Sequence, residues 1–598
     1  MKQKFVKGLL IMMSAFMLTG CQFGKKEETD SKKEDNKDDK DDKDDKDDKD
    51  DKDDKDDKDD KDDELDEGLK YLYGLDDTEV DLQAAYDFFS EKADDGIDEA
   101  NFYLGLLCDW YCFPEVDYDA AMDYYLLCDD MPEAKAALGL IYLDCYDDSD
   151  TAEEYFDELI DDSYGEGYLG RGCVEYAEGN YEDAYDDFVT AADTSESLFF
   201  KGSAMEWIGY LYYYGEGVDQ DYDEAFSWYS EAAENSSALG MNALAGMYAD
   251  GLGVERDYDL AMSWYKEAAS RNSMVAISNI GCMYECGNGV DVDYDEAFSY
   301  FKKAADGGNA YAMYRVGFYY MNGYSVDQDY DEAYDWYVKA SDEGCMEAYT
   351  GIGWMYDLGL GVEQDYDEAM YYYEKAADGN EPSAMYNIAY LYEYGEGVEM
   401  NMDTAIEWYE KAVENGSSAA AAELGWIYCM GENGYEVDTE KGIDWLEKGI
   451  EHENDDAMYY MGMMYEEGIG VDADIDAAYD MYYQSALLGN ASGMNSLGYL
   501  YLDGEGIDQD YDEALYWFEL GAEAGSPSAM NNLGWMYENG WGTEVDYDEA
   551  FAWYYAAAEE GNVSGMYNLV YCYDNGIGTE IDSEESEYWY NLAVSLEN

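Results

Sequence analysis

Histidine occurs once in these 598 residues, and bases number 32 against 144 acids. The lone His452 sits in the polar stretch EKGIEHENDD. It excludes a histidine-pair metal site and any acid–base machinery repeated along the chain, and it is expected to face solvent. The shortage of bases argues against nucleic acid and anionic lipid headgroups as partners, because so acidic a surface repels phosphate. It also argues against phosphate-cradling loops. The recurring Gly-x-Gly-Val turns have neither a basic residue nor a preceding strand, so they read as helix–helix turns. Four cysteines at zinc-ligand spacing are missing, and no segment shows strand periodicity. After residue 21 no apolar run is long enough to span a membrane.

What is present begins with MKQKFVKGLLIMMSAFMLTGC. Lys2, Lys4 and Lys7 precede a short apolar stretch, Leu9–Met17, the order of a secretory signal. The ending Leu18-Thr19-Gly20-Cys21 resembles a bacterial lipobox. That resemblance implies a signal peptide over 1–20, cleavage before Cys21, and lipidation of its thiol by acyl chains such as palmitate. The expected place is therefore the bacterial cell membrane, lipid-anchored and outward-facing, extracellular or periplasmic. Residues 21–63 follow as a KDD-rich tether, expected to be disordered and hydrated. Fully stretched, about 42 residues reach at most roughly 140–150 Å. The tether does not account for the charge: it holds 13 Lys against 23 acids, which leaves 121 acids and 16 bases in 64–598, a net charge of −105. The acidity belongs to the folded part. Cationic proteins or peptides, or divalent cations, are the electrostatically sensible partners, and 47% hydrophobic content supplies a core.

The string DYDEA occupies 221–225 and returns starting at Asp293, Asp329, Asp365, Asp510 and Asp546. Its alanine slot falls at Ala225, Ala261, Ala297, Ala333, Ala369 and Ala405, always 36 apart. Gly442 comes one residue late, after the longer loop GENGYEV at 431–437, and Ala478, Ala514, Ala550 and Ser586 resume the spacing. A strict period of this size marks stacked supersecondary units. In the copy at 383–416, Ala384/Met385, Ile388/Ala389 and Tyr392 share one helical face. Ala405, Trp408/Tyr409 and Ala412/Val413 share another, with Gly395 and Gly397 between. Looser second helices are expected at 81–89, 117–125, 150–159 and 181–188. Together these predict about fifteen helix pairs: degenerate repeats over 64–199, regular ones over 200–598, in an all-α, right-handed superhelical solenoid.

Leu497-Gly498-Tyr499-Leu500-Tyr501, Gly504-Glu505-Gly506-Ile507 and Asp510–Ala514 with Trp517 carry a family pattern. It resembles the Sel1-like repeat, a relative of the tetratricopeptide repeat. The resemblance implies an adaptor or scaffold for protein complexes. The family often has Lys before the alanine where this chain mostly has Glu, so a generic partner does not carry over.

Within DYDEA the expected role is structural. Asp221, Asp293, Asp329, Asp365, Asp510 and Asp546 precede apolar periodic runs, with Glu224, Glu296, Glu332, Glu368, Glu513 and Glu549 three residues on. This is an Asp-x-x-Glu capping box, in which Asp accepts from helix N–H groups and Glu reaches back. Acids in the first turn also favour the helix dipole, at roughly 0.3–1 kcal/mol each. DVDYDEA (291–297) and DADIDAA (472–478) alternate carboxylates as calcium loops do, but lack the glycine and glutamate of an EF-hand. The alternative is weak divalent binding spread over the acidic surface. No catalytic residue, cofactor or specific metal site is expected.

Cys108/Cys112 and Cys282/Cys286 are four apart within predicted helices. Buried thiols are the expectation, with a Cys128–Cys145 disulfide as the alternative in an oxidising envelope. Trp228, Trp264, Trp336, Trp408, Trp445, Trp517, Trp553 and Trp589 hold near-equivalent slots and are expected in the inter-repeat core. Extra tyrosines such as Tyr371 and Tyr372 are candidates for a binding groove. The functional expectation is a membrane-anchored, non-catalytic protein–protein interaction scaffold with cationic protein or peptide partners. The alternatives are an envelope enzyme or solute-binding lipoprotein acting on wall polymer, its site within the irregular residues 98–200, or a low-affinity divalent-cation binder.

Overall fold

A computed structural model of the chain describes residues 65–74, 80–110, 117–146, 148–504 and 506–596. Within these residues are 30 α-helices and no strand, paired as fifteen hairpins in an all-α solenoid of helix-turn-helix repeats. The signal sequence, Cys21 and the tether lie outside the described residues. The chain forms two units, residues 1–345 and 346–598. In each, the core is a row of local clusters shared by neighbouring hairpins rather than one centre.

Local chemistry sets each hairpin. In the repeat Pro382–Glu414 the first helix, Pro382–Tyr394, stops at Gly395, whose φ of 72° lets its N–H bond back to the Leu391 carbonyl. Two residues on, Gly397 also has positive φ, and a Cβ there would lie 2.2 Å from Cβ of Tyr366 in the preceding repeat. The two glycines of the turn therefore differ in role: one ends a helix, the other lets repeats touch. The second helix, Met402–Glu414, starts from Asn401, whose N–H donates to the Tyr392 carbonyl at 2.8 Å. The same bond ties Asp365 to Tyr356 and Asp510 to Tyr501. It makes the tyrosine of the Leu-Gly-x-x-Tyr string the point where the hairpin folds back. The extra residue at 431–437 is absorbed in a 3₁₀ turn, Glu432–Gly434, with Asn433 at φ 50°.

Between the two helices a ring fills a socket. Tyr229, Tyr337, Tyr373, Tyr482, Phe518 and Tyr554 on second helices are 2% exposed or less. Each faces a first-helix glycine: Gly209, Gly317, Gly353, Gly462, Gly498 and Gly534, where an added Cβ would stand 2.5–2.8 Å from the ring. Burying such a ring contributes about 1.5–3 kcal/mol, and at these six positions glycine leaves it room; Ala389 holds the equivalent slot in the hairpin of fully buried Tyr409.

This corrects the expected core. Of the tryptophan column, only Trp517 and Trp589 are buried; Trp228, Trp264, Trp336, Trp408, Trp445 and Trp553 are half-buried at the rim. Successive residues are turned about 100° around a helix, so the residue after each half-buried tryptophan is the one that enters the core; after Trp589 the order reverses and Tyr590 is exposed. Upstream, helices stand at Leu82–Asp94, Tyr118–Leu126, Ser149–Asp161 and Tyr181–Thr194, on the looser segments. In this first unit Arg271, 4% exposed, donates to the Tyr73 carbonyl at 3.0 Å, so residues 198 apart meet.

Candidate interaction surface

The six DYDEA aspartates are exposed N-caps in extended backbone conformation. Asp221 accepts from the N–H groups of Asp223 (3.0 Å) and Glu224 (3.1 Å). Asp365 does the same with Asp367 (3.0 Å) and Glu368 (3.2 Å), and Asp293, Asp329, Asp510 and Asp546 repeat it within 3.2 Å. The return half of the capping box differs. The N–H that Glu224 would reach is taken by the Tyr212 carbonyl, so Glu224, Glu296, Glu332, Glu368, Glu513 and Glu549 stay exposed, where they act on the helix dipole.

Among the described residues no three Asp, Glu, His or Cys side chains are placed to hold a metal ion, and Asp293 in DVDYDEA is committed to backbone. His452 is exposed at the end of helix Thr439–Glu451. Beside the irregular stretch a shallow cleft of about 430 Å³ is lined by Gly179, Asn180, Tyr181, Glu182, Asp183 and Gly217. Cys112 lies outside the described residues. Cys108, Cys282, Cys345, Cys429 and Cys572 are buried as expected, whereas Cys286, near the C-terminal end of helix Met274–Cys286, is exposed, and Cys145 and Cys173 are half-buried. Cys128 is a buried thiol donating to the Tyr124 carbonyl, and no bridge to Cys145 is formed. Burial pushes the Cys128 and Cys572 thiols up to about 12, which keeps them protonated and unreactive.

The exposed aromatics fall into two columns with different electrostatics. On second helices the chain supplies its own cations: Lys339 over Trp336 (4.1 Å), Lys411 over Trp408 (3.8 Å) and Lys448 over Trp445 (3.6 Å). Tyr371, an expected groove residue, is 48% exposed yet lies under Lys375 at 4.9 Å, and Tyr372 stacks on Tyr356. On first helices of the second unit, the residue after the socket slot forms the other column: Trp354, Tyr390, Trp426, Tyr499, Trp535 and Tyr571, interrupted by Met463 in the fourth hairpin. Five of the six are 40–52% exposed and Trp426 is half-buried. The sequence reading does not single out this column, although spacings of 36 residues run from Trp354 to Trp426 and from Tyr499 to Tyr571.

Glu423 stands beside that column. Its carboxyl is pushed up to about 7, first by burial and then by Glu393, Asp456 and Glu432. Trp426 and Tyr460 meet at 4.8 Å, Tyr390 and Tyr394 at 4.5 Å. Aromatic faces and carboxylates thus share one neighbourhood. The second unit holds 55 acids against four lysines and no arginine, and all four lysines, Lys375, Lys411, Lys441 and Lys448, sit on second helices.

The Sel1 repeat family model matches twelve segments of the chain: 68–96, then eleven successive ones from 202–237 to 563–598. Among solved structures, the chain is similar to a protective antigen of uropathogenic Escherichia coli displaying an SLR fold. Identity is 30% over 68% of this chain and 86% of that one, with a TM-score of 0.37. It is also similar to a Sel1 repeat protein from Oxalobacter formigenes, at 29% identity over 41% of this chain and 96% of that one, TM-score 0.36. No curated protein matches.

Proposed function

The chain belongs to the Sel1 repeat family, and from that premise we propose that it is a non-catalytic scaffold, tethered to the outer face of a bacterial membrane through lipidated Cys21, that assembles basic proteins. Repeat proteins of this family mediate protein–protein interaction. The observation that carries the finer reading is charge placement. The folded residues 64–598 carry a net −105, while capping each of the six DYDEA helices takes one carboxylate and leaves the next two exposed. Such a surface steers positively charged partners and turns away phosphate-bearing ones.

Fractionation with cross-linking tests it. The native chain is expected in the membrane pellet with a saturable set of basic proteins that high salt releases. Cys21→Ser is expected to move chain and partners together into the soluble fraction. A native chain already soluble would sink the anchor; absence of any saturable partner at low salt would sink the scaffold.

A further inference from the structure

We propose that the first-helix face of the second unit is a docking strip for an extended, arginine-bearing segment of a partner protein, the rings of the Trp354–Tyr571 column each taking a guanidinium face and the nearby carboxylates, Glu423 among them, pairing with it. This rests on the reading of the chain as a scaffold for basic proteins and says where and how such a protein is held.

Three observations converge on it. The first is the contrast between columns. In the second unit the chain's own lysines lie over Tyr371, Trp408 and Trp445 on second helices and over Tyr349 and Tyr428 on first helices, whereas among the described residues no lysine or arginine lies over Trp354, Tyr390, Trp426, Tyr499, Trp535 or Tyr571. Five of those rings, Trp354, Tyr390, Tyr499, Trp535 and Tyr571, are exposed to an outside cation, while Trp426 is half-buried against Tyr460. The second is an internal template. In the first unit the same column position is Phe318, and there the chain places Arg315 over the ring at 5.0 Å, with its guanidinium paired to Glu285. Ring and guanidinium come from helix Ala310–Asn322 and the carboxylate from Met274–Cys286, the first helix of the preceding hairpin. Moving along by 36 residues, the slot of Arg315 becomes Gly351, Asn387 and then Glu423. The rings Trp354, Tyr390 and Trp426 persist; at Glu423 a carboxylate stands where the base stood, and none of the three slots holds a guanidinium.

The third is the size of the cation. No three carboxylates among the described residues converge on a point, so a bare divalent ion has no ligand set. A planar guanidinium spreads its charge over a ring face while its N–H groups reach carboxylates at the edge, which suits rings and acids interleaved. Lysine would use the carboxylates but gain less from the stacking.

Calorimetric titration of the full chain with a peptide of alternating arginine and serine tests this, with a glutamine-for-arginine peptide as control. One variant combines Tyr390→Leu, Trp426→Leu, Tyr499→Leu and Trp535→Leu. A second, milder variant is Glu423→Gln. A third removes four exposed capping-region charges by Asp367→Asn, Glu368→Gln, Asp512→Asn and Glu513→Gln. Circular dichroism checks that each remains helical. The column variant is expected to weaken arginine-peptide binding about tenfold or more, Glu423→Gln severalfold, and the charge variant less than about twofold. Equal weakening by the charge variant and the column variant would overturn the docking strip while leaving the basic-partner reading intact. So would a tight-binding column variant. A native chain that takes the arginine peptide no better than the glutamine one would overturn both.

Discussion

Gly534→Val is expected to destabilise the hairpin of helices Pro527–Asn539 and Tyr547–Glu559 by about 3 kcal/mol, near the upper end of overpacking costs. A Cβ at Gly534 would stand 2.7 Å from the Tyr554 ring and 3.1 Å from the Ala550 carbonyl. Tyr554 is 1% exposed and its hydroxyl donates to Glu538 at 2.7 Å, so the ring cannot swing aside without leaving that bond. Two effects oppose each other. Glycine is a poor helix former, and replacing it gains at most about 1 kcal/mol of helix propensity; the clash costs more, so packing wins. Because neighbouring repeats contact mainly each other, the loss should be local. Hydrogen exchange should show Pro527–Leu596 opening far more readily while the hairpins before residue 455 keep their protection. Unchanged protection at 527–559 would mean the ring and glycine do not mate as described.

The second large effect concerns Glu206, buried in helix Leu198–Tyr214 and accepting from the Ser237 hydroxyl at 2.9 Å. Burial pushes its carboxyl up to about 8, and the Ser237 bond offsets only part of that. The unfolded value is about 4.3, so the folded chain holds the proton more tightly. Its contribution to stability is fully present below pH 4.3 and is lost as pH rises toward 8, amounting to roughly 3–4 kcal/mol by pH 7. Glutamine keeps the shape and can accept from Ser237 without ionising. Glu206→Gln should therefore match the native chain near pH 4 and exceed it by about 3 kcal/mol near pH 7. Hydrogen exchange in helices Leu198–Tyr214 and Ala238–Asp250 across that range gives the readout. A difference independent of pH would mean that Glu206 is solvated.

Much of this architecture was readable before any coordinates. A 36-residue period with apolar spacings of three and four specifies paired helices, and an aspartate just ahead of each apolar run specifies a cap. Period alone does not separate Trp553 from Tyr554, since neighbours on a helix differ by a third of a turn and only the position of Gly534 on the facing helix decides which enters the core. The same ambiguity hid the first-helix column. Trp535 and Met536 are adjacent and both apolar, yet one is 40% exposed and the other fully buried. The return bond expected from Glu224 failed for a related reason: its target N–H is taken by the Tyr212 carbonyl, a partner nine residues away that capping rules do not consider. Glu423 was not singled out because its setting is made by Glu393, Asp456 and Tyr460, each from another helix.

The central claim is that the acid surplus of the folded repeats serves a basic partner. Its most direct test is the affinity of the full chain for the arginine–serine peptide across a salt series. Charge-driven association should be saturable and should fall steeply once the Debye length shrinks from about 30 Å at 0.01 M to about 8 Å at 0.15 M. A titration that is salt-independent, or that never saturates at low salt, would contradict the account.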